Sequence, residues 1–238
     1  MLGTRSILLA PLVLVACGGE AAPAGAQSPS ASAAGGDTPT VTANAAPTPP
    51  TAWPFTPGPT PQEKTKQIDR LAKDPGPIKT NWVPPGRGDR YGHAEGVIIA
   101  PYATVKERLE DFVHYKDLAG PKFKSVKVVD KQGAQTDVYF NLPIMKGLVT
   151  IWYVTRFSPA KSAPAGDVIE GTFVKGNIKD MHIAFTLRPG ADDKSAIMMC
   201  DLDLALSIPA PQGPLDEELR DACGDAINSV RRTTSEQH

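Results

Sequence analysis

The sequence predicts an α+β domain in which an antiparallel sheet of about six strands has one face covered by a long C-terminal helix. Three observations predict it. Segments 125–130, 135–142, 148–157, 168–175, 180–188 and 195–207 are rich in β-branched, aromatic and aliphatic residues, and Gly133, Gly147, Gly166, Gly176 and Gly190 separate most of them. The last two segments alternate. Met181, Ile183, Phe185 and Leu187 share one face against His182, Thr186 and Arg188, and Met198, Cys200, Leu202 and Leu204 oppose Asp201 and Asp203. One face is thus expected dry and the other wet. Residues 214–232 then repeat Leu215, Leu219, Ala222, Ala226 and Val230 at helical spacing, which supplies the cover a half-dry sheet needs.

The elements follow in order once the N-terminal part is set aside. Of the 24 prolines, 11 fall in the first 62 residues, and residues 18–62 hold no Lys or Arg and only Glu20 and Asp37 as acids. Such a composition cannot bury enough apolar surface to offset chain entropy, so 17–62 reads as a tether, with Trp53 and Phe55 as solvated linker residues or docking ones. About 176 residues remain, enough for one core. Residues 63–90 are a lead-in: a helix over 63–73 carrying Ile68 and Leu71, stopped by Asp74-Pro75-Gly76-Pro77, then an irregular stretch with Trp82, Pro84 and Pro85. A strand is expected at 96–100. Thr104 and Glu107 have capping-box spacing before a helix whose stripe is Val105, Leu109, Phe112 and Val113. Short connections between the later strands imply antiparallel pairing.

Charge removes several partners. The chain sums to −1, and because Arg5 stands against Glu20 and Asp37 outside the domain, residues 63–238 net to zero. Nucleic-acid binding, which rests on clustered cations, is therefore not expected. No run of eighteen apolar residues offers a membrane span.

The start is more specific. One cation, Arg5, precedes an apolar stretch from Ile7 to Val15, the layout of a secretory signal over residues 1–16. Leu14-Val15-Ala16-Cys17 resembles the bacterial lipobox, followed by Gly18-Gly19. That resemblance implies diacylglycerol and N-acyl chains of the palmitate type on Cys17, hence a membrane anchor at the bacterial cell envelope. Several acyl chains anchor stably where one is marginal. Gly18 is not the aspartate that retains many such lipoproteins at the inner membrane, which favours the outer membrane.

The body has a resemblance of its own. Ile99-Ala100-Pro101-Tyr102-Ala103-Thr104-Val105, then Leu109-Glu110-Asp111-Phe112, then Val126-Lys127-Val128-Val129 resemble the START and polyketide-cyclase superfamily, including its coenzyme Q-binding branch. So does the Gly176 hairpin ahead of Ile183-Ala184-Phe185-Thr186-Leu187. The resemblance covers residues 91–232. It implies the helix-grip fold, a curved antiparallel sheet wrapped around the C-terminal helix, with a hydrophobic cavity for lipids, isoprenoids or polyketides. The candidate ligand-binding residues are Met181, Ile183, Phe185, Met198, Leu202 and Ala226. The alternative for each is that it packs into a filled core, the commoner fate of any one such side chain. Tyr139, Trp152 and Tyr153 are polar-tipped pocket residues or ordinary strand aromatics.

Chemistry is not signalled. His93, His114, His182 and His238 show no metal-ligand spacing, and neither a CxxC pair nor a GxSxG elbow occurs, so no catalytic residue, metal or cofactor is assigned. His182 reads as a surface histidine, Arg156 and Glu170 as a cross-strand pair, and Arg87-Gly88-Asp89 as a chance tripeptide. Once Cys17 is acylated, Cys200 and Cys223 form an even pair in an exported chain, on faces that should meet, and a disulfide is expected. Three functions stay open: a noncatalytic carrier or sensor of a hydrophobic small molecule or lipid, a cyclase or hydratase using the same cavity, and a partner-binding domain with a filled core. Neither the ligand nor a protein partner can be named.

Overall fold

The computed structural model describes residues 60–235 apart from 75 and 85–87. The leader, Cys17, the tether up to residue 59, Trp53, Phe55 and Arg87 lie outside the described residues. The elements are α1 (Pro61–Ala72), β1 (Ile78–Trp82), β2 (Tyr91–Ile98), α2 (Tyr102–Glu110), α3 (Tyr115–Ala119), β3 (Ser125–Gln132), β4 (Gln135–Ile144), β5 (Val149–Phe157), β6 (Lys161–Ala163), β7 (Gly166–Gly176), β8 (Ile178–Pro189), β9 (Ala196–Leu206) and α4 (Gln212–Ser235). Single 3-10 turns occupy Phe112–His114 and Met145–Gly147. The strands form one antiparallel sheet in the order β1-β2-β9-β8-β7-β5-β4-β3, with β6 beside β7.

Local chemistry sets several boundaries. Helix α1 starts at a capping box: the Thr60 hydroxyl accepts from Glu63 N at 3.3 Å, and the Glu63 carboxylate accepts from Thr60 N at 2.7 Å. The box expected at Thr104 and Glu107 does not form. Helix α2 already begins at Tyr102 behind Pro101, which leaves Thr104 inside the first turn where it cannot cap. The expected irregular stretch contains β1, an edge strand running antiparallel to β2 from Ile78 opposite Glu95 to Trp82 opposite Tyr91. Between β3 and β4 the turn is only Gly133-Ala134, and Gly133 takes the positive φ of 62° that tight hairpins require.

The dry face is the concave one, and α4 lies on it. Its buried stripe is Leu219, Cys223, Ile227 and Val230, whereas Ala222 is exposed and Ala226 half-buried. The stripe expected through Leu215, Ala222 and Ala226 is therefore rotated by about one residue. Two glycines of β2 explain the docking. A Cβ at Gly92 would strike the backbone of Leu219 and Arg220, and one at Gly96 would come within 3.0 Å of Ile227 Cγ2. Helix α4 consequently rests directly on β2, and Val105 and Leu109 of α2, Phe112 of the 3-10 turn and Tyr115 of α3 join the same buried cluster.

The opposite face is not wet at its centre. Leu71 of α1 is buried, and His182, Thr186, Arg188 and Asp201 are buried on the face expected to be solvated. The reason lies in the lead-in, which is no appendage: α1 and β1 hydrogen-bond to that face and shield part of it.

Candidate functional site

Five of the six residues expected to bind a ligand come together on the sheet, and the sixth, Ala226, is on α4. Strands β8 and β9 pair Met181 with Leu204, Ile183 with Leu202, Phe185 with Cys200 and Leu187 with Met198, so the candidates form adjoining rungs of one concave face. Met181, Phe185 and Met198 are buried, while Ile183, Leu202 and Ala226 are half-buried against the same cluster. Next to them sits a group of rings. Phe112, Tyr115 and Phe157 contact one another at 5.1 to 5.2 Å, Phe140 stacks on Tyr153 at 5.3 Å, and Phe123 closes on Phe140 at 5.8 Å. At Gly171 a Cβ would meet Ile183, Phe157 and Thr155 side chains at 2.7 Å, so the glycine makes room for all three.

Two hydroxyls interrupt this apolar face. Thr155 is fully buried and its Oγ1 has no hydrogen-bond partner, an uncompensated cost that native interiors seldom keep. Tyr153 is two residues away on the same face of β5, and burial alone pushes its hydroxyl pKa well up. By contrast the buried Tyr115 hydroxyl donates to Leu109 O at 2.6 Å. Of the three strand aromatics weighed as pocket residues, Tyr153 faces inward, whereas Tyr139 and Trp152 stack on each other on the outer face at 6.2 Å.

The cysteines face each other as expected, but the structure holds them as two free, fully buried thiols. Cys223 Sγ donates to Gly92 O at 3.3 Å, which engages its proton. Burial, then the hydrogen bond and charge of Cys200, raise the Cys223 thiol far above its ordinary value.

On the outer face a polar ladder crosses seven strands, from β4 through β5, β7, β8, β9 and β2 to β1. Arg156 pairs with Asp137 through two 2.7 Å bonds, not with Glu170. Glu170 is the nearer partner of His182, at 2.8 Å from Nε2, and Tyr91 OH lies 3.3 Å from the same ring's Nδ1. His182 is therefore a buried, hydrogen-bonded group and not a surface histidine. Further along, Asp201 Oδ1 receives the Trp82 indole N–H at 2.7 Å and lies 2.7 Å from His93 Nδ1. Burial opposes the charge on His93, but the hydrogen bond and charge of Asp201, helped by Glu95, hold its pKa above the ordinary value. Glu95 is bound by Arg70 and by Gln67 of α1. Sequence reasoning missed this ladder because its members are far apart in the chain. Only the register brings them together.

A second polar group joins α2 to β7. Asp167 accepts from Tyr102 OH at 2.6 Å and from Lys106 Nζ at 2.7 Å. Those contacts lower Asp167 and raise Lys106, and burial followed by the Asp167 bond raises Tyr102. Every member is thereby fixed in its resting charge state, the reverse of an activated nucleophile or base. Two open surface grooves, of about 530 and 460 Å³, flank α1 and α2 and do not lie between the sheet and α4.

No family model matches the chain, and no curated protein matches it by sequence. Solved structures do. A START superfamily protein from Mycobacterium smegmatis superposes with a TM-score of 0.52 at 14% identity, over 62% of this chain and 99% of that one. A STAR-related lipid transfer protein fragment from Xanthomonas axonopodis gives 0.56 at 13%, over 68% and 95%. The chain has the START helix-grip fold. The Zhui aromatase/cyclase from Streptomyces sp. R1128 shares it at 0.51 and 15% identity, over 62% and 94%. In helix-grip terms, Met181, Ile183, Phe185, Met198 and Leu202 lie on the wrapped side of the sheet, and the Glu170–His182–Tyr91 and Asp201–His93 groups lie on the outside.

Proposed function

We propose that this chain is a cell-envelope lipoprotein whose START-like domain binds a hydrophobic small molecule or lipid on the concave face beneath α4, without catalysis. The observation that carries the reading is the unpartnered, fully buried Thr155 Oγ1, which with the Tyr153 hydroxyl on the same face of β5 interrupts an apolar wall and offers a hydrogen-bond handle of the kind that orients an apolar ligand. Structural neighbours described as a lipid transfer protein and as an aromatase/cyclase support the same ligand class. The acid–base groups lie outside the wrapped face or are locked in their resting charge state, which supports the carrier over the cyclase or hydratase. The anchor rests on the Leu14-Val15-Ala16-Cys17 box. In an oxidising compartment the facing Cys200 and Cys223 thiols would pass two electrons and two protons to an oxidised dithiol and close a loop of about 22 residues, stabilising by roughly 3 kcal/mol.

A second reading, a partner-binding domain with a filled core, is favoured by the mutual burial of Met181, Phe185, Met198 and the ring cluster. One titration separates them. A polarity-sensitive fatty-acid probe added to the purified chain should bind with micromolar affinity, weakened at least tenfold by Leu202→Arg and altered by Phe185→Ala. Native mass spectrometry of the purified protein should show co-purifying lipid. Absence of both, from a folded protein, establishes the filled-core reading.

A further inference from the structure

Lysines are segregated on this molecule in a way its neutral total conceals. One corner of the sheet is built from the loop before β3 with the first half of β3, the β4–β5 hairpin end, and the β7–β8 turn, residues 120–129, 139–154 and 173–179. These three stretches contain Lys122, Lys124, Lys127, Lys146, Lys175 and Lys179, all exposed, and not one Asp or Glu. Among the described residues, only Lys122 of these six has a carboxylate in ion-pair contact, Asp225 of α4 at 2.6 Å.

Register places part of this charge on one surface. Lys127, Tyr139, Val154 and Lys175 form a continuous rung across β3, β4, β5 and β7 on the outer face. Lys127 Nζ lies 5.4 Å over the Tyr139 ring, and Tyr139 stacks on Trp152, whose side is open to solvent. At the hairpin tip Leu148 is 83% exposed, beside Lys146. The backbone holds that tip in an uncommon conformation: Met145 and Lys146 have φ of 51° and 57°, in the left-handed region that glycine usually occupies. Such a corner combines an extended cationic field, an indole and a phenol at its base, and an apolar tip, which is the chemistry of the lipid–water interface.

We propose that this corner docks the folded domain onto an anionic lipid surface, with Leu148 and Trp152 entering the headgroup region and the lysines facing lipid phosphates. A membrane fits better than a nucleic acid, because an 83% exposed leucine at the leading tip is wasted on a phosphate backbone but gains burial among acyl chains. The assignment is independent of both the acyl anchor and the ligand.

The test uses the full chain carrying Cys17→Ala throughout, so that no acyl chain contributes. Sedimentation with phosphatidylcholine vesicles, with and without phosphatidylglycerol, should show binding only in the presence of the anionic lipid, weakened by salt. Because each lysine near such a surface is worth about a fivefold change in partitioning, Lys127→Gln with Lys175→Gln should lower affinity roughly 25-fold. Trp emission should shift to the blue on binding, and the shift should vanish in Trp152→Phe, which leaves Trp53 and Trp82 as controls. These residues are exposed, and unchanged circular dichroism keeps the comparison on binding. Equal partitioning of the double variant, no dependence on the anionic lipid, or a variant defect seen on double-stranded DNA or an acidic polysaccharide but not on vesicles overturns the proposal.

Discussion

Asp203 on β9 lies directly opposite His182, and burial, reinforced by Asp89 and Asp180, pushes its carboxyl up to about 6. The unfolded chain releases that proton near the ordinary carboxylate value, so folding is penalised above about pH 6 and the penalty fades as pH falls toward 4. Asp203→Asn should therefore stabilise at pH 7.5, by on the order of 1 kcal/mol after discounting for partial exposure, and raise Tm by about 3 °C. Near pH 4 the gain should disappear. His93 acts with the opposite sign: its raised pKa contributes stability that is present below its unfolded value and lost as pH rises through the folded one. Thermal melts at several pH values separate the two, and a stabilisation by Asp203→Asn that grew on acidification would contradict the assignment. Both groups owe their behaviour to the strands that bury them, Asp203 to β9 and His93 to β2.

Among the elements, the decisive contact is α4 on β2. Leu219, Cys223, Ile227 and Val230 are each no more than 3% exposed, and burying a large aliphatic side chain contributes about 1.5 to 3 kcal/mol. The approach depends on the missing Cβ at Gly92, where any side chain would meet helix backbone and could not be relieved by a rotamer change. Gly92→Ala should cost about 2 to 3 kcal/mol through overpacking, lowering Tm by roughly 5 to 10 °C. Gly213→Ala, in open space at the start of α4, is the control and should be neutral or slightly stabilising. Equal melting temperatures for the two variants would show that α4 does not rest on β2. The lead-in is the other element that matters: through Trp82, Gln67 and Arg70 it binds Asp201 and Glu95, turning one patch of the outer face from wet to buried.

For the whole molecule, the anchor and the domain are separable claims. Cys17→Ser should abolish incorporation of an alkyne fatty acid in growing cells, and label retained on the serine variant would remove the lipoprotein reading. Protein from the same envelope preparation, denatured without reductant, should expose no free thiol if Cys200 and Cys223 have closed, and two if they stay reduced. The α+β class, seven of the nine described strands (β2 only in its second half), the C-terminal helix, and the faces of β8 and β9 were legible in the chain alone, because alternation and helical spacing are local and need no partner to be read. Strand β1 was not, since Ile78-Lys79-Thr80-Asn81-Trp82 carries no alternation and is a strand only by pairing with β2. Nor could local pattern decide that the second face is partly dry, that Arg156 joins Asp137, that His182 joins Glu170, or that six lysines share one corner. Those depend on which strands stand side by side and on what covers them, and register is fixed only when the whole sheet closes around its helix.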